Sequence, residues 1–446
     1  MTNEDKSNAP IVEVDGREET AVGNYFVSNY PPFSFWSDAH LPGARGRLAQ
    51  APAAETPFGL YVHIPFCRKR CDFCYFRVYT GRDAKHVDRY VDAVLKEAAM
   101  YTEQPSVGGR APEFVYFGGG TPSFLSPDQM RRLFDGLRSH WSWDSVREVT
   151  FEAEPGTLDR EKIETLRELG VTRISLGVEN FDAGILELNN RAHRAKEIDV
   201  AYEACRAVGF EQVNIDLIAG MVGETEANWQ RCIERTREMA PDSVTIYQME
   251  FPFNTTISRR MKDDGETVAP VADWATKRRW VADAFAALEE DGYVVGSAYT
   301  AKKPDAEFLY RDGLWFGADL LGLGVASFSH IGGWHIQNDH DLDPYCETVE
   351  AGELPLHRAL PLSEDEKLIR QFVLQLKLGR VSLAYFQRRY GVDVRERFAA
   401  GLAKHQAAGH LGFDGDDIVI PRESLLVIDL LLQEFFNEEH KGARYE

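Results

Sequence analysis

The sequence predicts an α/β fold: a partial (β/α)6 TIM-like barrel followed by a small, α-rich, winged-helix-like C-terminal module. Three observations carry this prediction. Six apolar runs bounded by turn residues alternate with segments of helical period between residues 59 and 250. The pattern changes after about residue 350. The chain, with 446 residues of which 44% are hydrophobic, is long enough for one large core plus an appended module.

The runs are GLYVHIPF (59–66), EFVYFGG (113–119), EVTFEAEP (148–155), RISLGVEN (173–180), QVNIDLIAG (212–220) and SVTIYQME (243–250). Helical period occupies segments between them, such as 86–101, 126–140 and 227–239. Buried, β-branched strands in sequential β–α units imply a parallel sheet with both faces covered. Right-handed crossovers curl such a sheet into a partial barrel. Periodicity does not separate a barrel from a doubly wound sheet, and in both the chemistry belongs at the carboxyl ends of the strands. Ahead of the first run, residues 1–20 read as disordered, 24–36 as an irregular aromatic arm and 41–57 as a linker. Helices are expected at 363–377, 381–390 and 393–407, then a hairpin in GHLGFDGDDIVIP and an amphipathic helix in SLLVIDLLLQEFF. The expected domains are therefore 1–57, 58–350 and 351–446. The Leu-rich run 425–432 reads as core, and the alternating charges of 263–280 as a solvated helix face.

Acidic residues outnumber basic ones, 71 to 50, for a net charge of −21. That balance argues against nucleic acid as a partner. No apolar stretch is long enough to span a membrane, and the polar N-terminus has no signal-like core, so a cytoplasmic protein is expected. Six cysteines in so long a chain are not a disulfide framework.

Three of those cysteines crowd into CRKRCDFC: Cys67, Cys71 and Cys74. Thiolates suit iron–sulfur clusters or zinc. Zinc generally takes four ligands, and no second CxxC or HxxxH occurs in the chain. Three thiolates can instead hold three irons of a [4Fe–4S] cube, leaving the fourth iron open to chelate the amino and carboxylate groups of S-adenosylmethionine (SAM). After the second run, GGGTPS (Gly118 to Ser123) lets the backbone approach a ligand closely.

YVHIPFCRKRCDFC, GGGTPS, FEAEPGT, ISLGVENF, NNRAH, NIDLIAG and GLGVASFSHIGGWHIQN together resemble the oxygen-independent coproporphyrinogen III oxidase-like radical SAM family. The resemblance runs from about residue 24 to the C-terminus. It implies a [4Fe–4S] cluster on Cys67, Cys71 and Cys74, two SAM molecules, a small-molecule substrate, and an electron donor such as flavodoxin or ferredoxin. By motif position, Tyr61, Gly119, Glu152 and Phe328 match residues around the SAM on the cluster. Phe73, Gly120, Thr121, Arg191 and Asp216 match those around the second SAM. Tyr61 and Glu179 are the candidate catalytic residues.

The match departs in four places. Glu179 stands where the porphyrin enzyme has Gln, and attracts a sulfonium, acts as a base or simply pairs with a nearby cation. After Cys74 the chain continues Tyr75-Phe76-Arg77-Val78 instead of Gly and a fourth Cys. FLYRDGLWFGADL has Trp315 but lacks the His of the heme-chaperone element. The N-terminal arm, with Tyr30 and Pro31, is unusually aromatic. These departures lead to the expectation of a class C methyltransferase or cyclopropanase, which adds a SAM-derived methylene radical to an sp² carbon. Coproporphyrinogen III decarboxylation and heme carriage are the alternatives. His330 and His335 read as structural.

Overall fold

The computed structural model describes residues 11–14, 17–20, 26–52, 56–250, 256 and 271–443. Most of the expected disordered start, and the first two residues of the expected arm, lie outside these residues. Within it, β1 (Ile11–Val14) and β2 (Arg17–Thr20) pair as an antiparallel hairpin. The expected linker holds a helix, α1 (Leu41–Leu48), because Leu41, Ala44 and Leu48 fall on one face and pack against the main core.

Each of the six apolar runs forms a strand: β3 (Phe58–Ile64), β4 (Phe114–Gly119), β5 (Glu148–Ala153), β6 (Arg173–Glu179), β7 (Gln212–Ala219) and β8 (Ser243–Gln248). They pair in that order, all parallel. The connecting helices are α2 (Ala84–Thr102), α3 (Pro127–His140), α4 (Arg160–Glu168), the short α5 (Ala183–Leu188) with α6 (Ala195–Val208), and α7 (Glu226–Met239). Several begin at a side-chain cap, such as Asp83 on α2 and the Ser126/Gln129 capping box on α3.

The sheet is larger than expected. A hairpin of β9 (Val294–Ser297) and β10 (Thr300–Lys302) extends one edge antiparallel to β8. On the other edge a seventh parallel strand, β11 (Asp319–Leu323), pairs with β3. Antiparallel β12 (Phe328–Ile331), β13 (Trp334–Asn338) and β14 (Leu356–Pro361) follow, for twelve strands in one open sheet among the described residues. The short β11, the run DLLGL, is not among the six runs read from the sequence. Strand β14 belongs to this sheet although it lies past residue 350.

The strands are not apolar on both faces, as a fully packed barrel would require. Leu60, Val62, Ile64, Val115, Phe117, Phe151, Ile174, Leu176, Val213 and Ile215 pack in the main core. The alternate positions are Tyr61, His63, Tyr116, Gly118, Thr150, Glu152, Arg173, Ser175, Asn214 and Asp216. A period of two places all of these on the opposite, lumen-side face. The lumen is polar.

Helices over 364–376, 383–390, 394–397 and 399–407 surround a second core containing Phe372, Phe386, Phe398 and Phe435. Leu425, Ile428 and Leu432 of the Leu-rich run are buried there. A three-stranded sheet of β15 (Arg380–Ser382), β16 (Gly412–Asp414) and β17 (Asp417–Val419) completes this region. The arm is bolted to it: the buried Lys377–Asp429 ion pair (2.6 Å) accepts and donates bonds to the Val27 backbone. Of the expected charged helix face, 263–270 lies outside the described residues. In α8 (Trp274–Glu290) Lys277 is buried, donating to the Met249 carbonyl and lying over the Trp274 ring. Among the described residues, no helix is long and apolar enough to cross a membrane.

Candidate functional site

The carboxyl ends of β3 to β8 open at one end of the lumen. From β3, the Tyr61 hydroxyl meets His63 Nδ1 at 3.0 Å. Gly119 ends β4 with φ +117°, and a Cβ there would lie 2.5 Å from the His63 ring, so only glycine fits. Glu152 on β5 accepts from the Tyr116 hydroxyl (2.6 Å) and the Gly119 amide (3.1 Å). Burial pushes its carboxyl up to about 7. Tyr116 stacks on Tyr310 with centroids 4.2 Å apart.

Asp216 on β7 accepts from Ser175 Oγ (2.9 Å) and Asn214 Nδ2 (3.0 Å), and burial raises it too. At the end of β6 the register slips between Gly177 and Glu179, and Glu179 takes φ +63°. A side chain in the left-handed region at a strand end is a costly arrangement that accumulates at ligand sites. Glu179 Oε1 lies 3.4 Å from Arg191 Nη2, and burial pushes the carboxyl up to about 7.

The three cysteines ride a loop whose ends are pinned together by Cys67 N–H to the Tyr79 carbonyl (3.1 Å) and Tyr79 N–H to the Pro65 carbonyl (2.8 Å). Thr121 Oγ1 donates to Cys67 Sγ (3.3 Å) and Arg191 Nη1 to Cys71 Sγ (3.2 Å). At Gly120 a Cβ would stand 3.0 Å from Cys67 Sγ, so glycine leaves room beside the thiol. Burial pushes the Cys67 thiol up to about 11 and Cys74 to about 12. Iron binding there must displace protons. Among the described residues no three His, Cys, Asp or Glu side chains close on a single point. Thiols that accept hydrogen bonds, space at Gly120, and the buried, unpartnered Arg191 Nε fit a cluster with a ligand beside it.

The fold thus brings together Cys67 with Gly120 and Thr121, Cys71 with Arg191 and Glu179, and Tyr61 with Gly119 and Glu152 through His63 and the glycine turn. Phe73 packs with Ile185, Ile218, Met221 and Met249. Phe328 stands apart from these, against Phe33 (4.7 Å) and Trp36 (5.5 Å) of the arm. His330 and His335 meet each other at 3.1 Å, and His335 also bonds the Tyr30 carbonyl.

Sequence reasoning missed the supports. Asn189 and Asn190 grip the cysteine loop, through the Asp72 amide and the Arg70 carbonyl. Arg68, between the first two cysteines, makes a two-pronged bond to Glu154 at 3.1 and 2.8 Å. Strict alternation along the strands would have found His63, Tyr116, Ser175 and Asn214. Nothing in the local pattern announces Arg68–Glu154.

The Radical SAM superfamily model matches residues 61–236. The chain is 28% identical over 398 residues to an oxygen-independent coproporphyrinogen III oxidase of Pseudomonas aeruginosa, covering 85% of this chain and 86% of that one. It is 31% identical over 389 residues to the heme chaperone HemW of Mycobacterium tuberculosis, covering 86% and 96%. The solved coproporphyrinogen III oxidase (HemN) of Escherichia coli superposes with a TM-score of 0.81 at 26% identity, covering 92% of this chain and 96% of that one. These matches overturn the expectation of methyl transfer or cyclopropanation. That expectation weighed a few local departures over nearly the whole chain. The Glu179 departure has a structural account in its ion pair with Arg191.

Proposed function

Since the chain belongs to the radical SAM superfamily, in the family that holds the oxygen-independent coproporphyrinogen III oxidases and the heme chaperone HemW, we propose that it oxidatively decarboxylates a propionate-bearing tetrapyrrole of the coproporphyrinogen III class. The observation that supports this best is the unbroken cradle from the cysteine loop through Gly118–Thr121 to Glu152, in a chain that superposes on such an oxidase over nearly its whole length.

In this reading Cys67, Cys71 and Cys74 hold the [4Fe–4S] cluster. When bound, cluster and SAM supply a 5′-deoxyadenosyl radical by one-electron cleavage of SAM. Tyr61, Gly119 and Glu152 would surround the SAM on the cluster, while Phe328, matched to the same set by motif position, lies against the arm. Glu152 would accept hydrogen bonds from the ammonium group of this SAM, giving up the proton that burial holds to about 7. A second SAM would be held by Phe73, Gly120, Thr121, Arg191 and Asp216, with the unpartnered Arg191 Nε as a donor for its carboxylate and Glu179 as a partner for its positive charge. The substrate loses a hydrogen atom from a propionate chain. Its bond to the carboxylate then breaks, CO₂ leaves, one electron passes to an external acceptor, and a vinyl group remains.

The test is anaerobic incubation with coproporphyrinogen III, SAM and a reductant. Release of 5′-deoxyadenosine together with CO₂ is expected. No SAM cleavage under any reductant, with stoichiometric binding of added hemin, would replace this reading by the carrier role of the HemW relative. Equilibrium dialysis should count two SAM per chain, falling to one in Arg191→Ala.

A further inference from the structure

Two buried cations of one helix, Glu364–Leu376 with its C-cap Lys377, are treated differently. Lys377 meets a carboxylate, Asp429, at 2.6 Å. Arg370, 4% exposed, meets none among the described residues. Its bonds go to neutral acceptors: Nε to Asn29 Oδ1 (2.8 Å) and Nη1 to the Leu314 carbonyl (3.2 Å). The acids nearby are taken, Asp319 by Arg110 at 2.7 Å and Glu364 by Lys367 at 2.6 Å. The field of Arg370 adds to burial in holding His330 and His335 well below the usual imidazole range. Burying an ion without its counter-ion is costly.

Arg358 on β14 repeats the arrangement. It is half-buried, bonds Gln337 Oε1 (2.5 Å) and the Phe33 carbonyl (3.1 Å), and has no carboxylate partner among the described residues. Residues paired across antiparallel strands share a face. The pairs Phe328–Gln337 and Gln337–Arg358 therefore put Arg358 in the row of Phe328, beside His330 and His335. Leu320–His330 and Gly322–Tyr61 continue that face to the lumen side of β3. Arg370 reaches the same face from its helix, because Leu314, whose carbonyl it grips, packs with Tyr61 around Phe114 and Leu320. Phe33, Phe328 and His330 are only half-buried, so the face is not sealed.

We propose that Arg358 and Arg370 bind carboxylates of the substrate's propionate chains, on the part of the lumen-side face that runs from Tyr61 out to the arm. The inference rests on the tetrapyrrole reading and names the groups that recognise it. A chain with a net charge of −21 repels a polyanionic substrate over most of its surface, so local cations must overcome that repulsion. The planar guanidinium fork matches a carboxylate, and a half-dry site strengthens the bond. Both arginines also hold the arm, through Asn29 and the Phe33 carbonyl, but these neutral acceptors leave the charge unmatched. A propionate matches it.

The test uses coproporphyrin III and its tetramethyl ester, in one detergent buffer, with binding to cluster-loaded protein followed by porphyrin fluorescence. The free acid is the stable oxidised form of the proposed substrate and keeps its propionates, whereas the ester has the same ring and no charge. Wild type should bind the acid at least about tenfold more tightly than the ester. Arg358→Gln and Arg370→Gln should each weaken the acid by about tenfold and leave the ester within about twofold. Arg358 is half-buried, so its variant carries the test by itself where Arg370→Gln does not fold. Arg370→Lys, which keeps the charge but not the fork, should recover part of the loss. Asn29→Ala cuts the bond to the arm and keeps both cations, so it should leave the preference for the acid intact. Iron and sulfide content should equal the wild type throughout. An acid preference that survives both Gln variants, or that Asn29→Ala removes as fully as they do, overturns the proposal and leaves the tetrapyrrole reading standing. So does a wild type that binds acid and ester equally. A wild type that binds neither porphyrin overturns the tetrapyrrole reading and this proposal with it.

Discussion

Two glutamates, one buried behind the sheet and one half-buried in the lumen, show how the same group is used in opposite ways. Glu97 of α2 is fully buried and accepts from the Gly324 amide (2.8 Å), Asn338 Nδ2 (2.6 Å) and the Tyr345 hydroxyl (2.6 Å). Glu179 is half-buried, and among the described residues it pairs with Arg191 at 3.4 Å, from a left-handed backbone. Burial pushes both carboxyls up to about 7. Glu97 is saturated with donors and closes its site. Glu179 faces a guanidinium whose buried Nε has no partner, which leaves a donor free for the proposed ligand.

The contrast is broken most completely at the cysteines. Cys67→Ala, Cys71→Ala or Cys74→Ala should leave reconstituted protein without labile iron and sulfide, while Cys205→Ala, buried in the core, should retain both. Iron retained in any of the three variants would remove the loop from the site. Glu97→Ala should give the largest loss of stability, about 3–5 kcal/mol, because three donors lose their buried acceptor. Urea denaturation measures it, and a loss below about 1 kcal/mol would show that the Glu97 site is not closed.

Acidity sharpens the comparison further. The folded chain holds the Glu97 proton to about 7, above its ordinary value of 4.5, so between these values the folded state binds more protons than the unfolded one. The stability this gives is full below 4.5 and is lost as pH rises through 7. Glu97→Gln, which cannot ionise, should therefore gain on the wild type in urea midpoint between about pH 5 and pH 8. A gap that does not change with pH would mean that the group titrates normally.

The smallest effect belongs to Glu179. Glu179→Gly removes the cost of a side chain at positive φ and should raise stability by up to about 1 kcal/mol. The same change should weaken SAM binding, measured by equilibrium dialysis. Weaker folding with unchanged SAM affinity would make Glu179 a structural residue like Glu97.

The barrel strands and the cysteine loop were legible because their signals are local. Period-two alternation within a few residues marks a strand, and thiols at spacings of four and three mark a metal-binding loop. Strand β11 was illegible because a glycine interrupts its five-residue run, and β12 to β14 because each is short and mixes polar with apolar residues. Helix α1 was illegible because Pro42, Gly43 and Gly46 hide its buried stripe. The supports of the site came from pairings that no window sees, such as Arg68 with Glu154, 86 residues apart. Function was misjudged for the opposite reason: the departures at Glu179 and at 75–78 are visible locally, but the relationship to known enzymes is a property of the whole chain.

The open sheet bears on how such a protein changes over time. The loop after β3 carries every proposed cluster ligand, while both ends of the sheet are finished by antiparallel strands, β9–β10 on one side and β12–β14 on the other. A closed barrel has no ends to build on, whereas an open sheet accepts replacement at its margins. The margins here are also where the arm is seated, through Ser37 pairing with Ala359 on β14 and Trp36 stacking on His335 of β13. Remodelling of these margins reshapes the walls around the lumen while leaving the cysteine loop and the glycine turn untouched, so the radical-forming half and the substrate-fitting half can diversify at different rates.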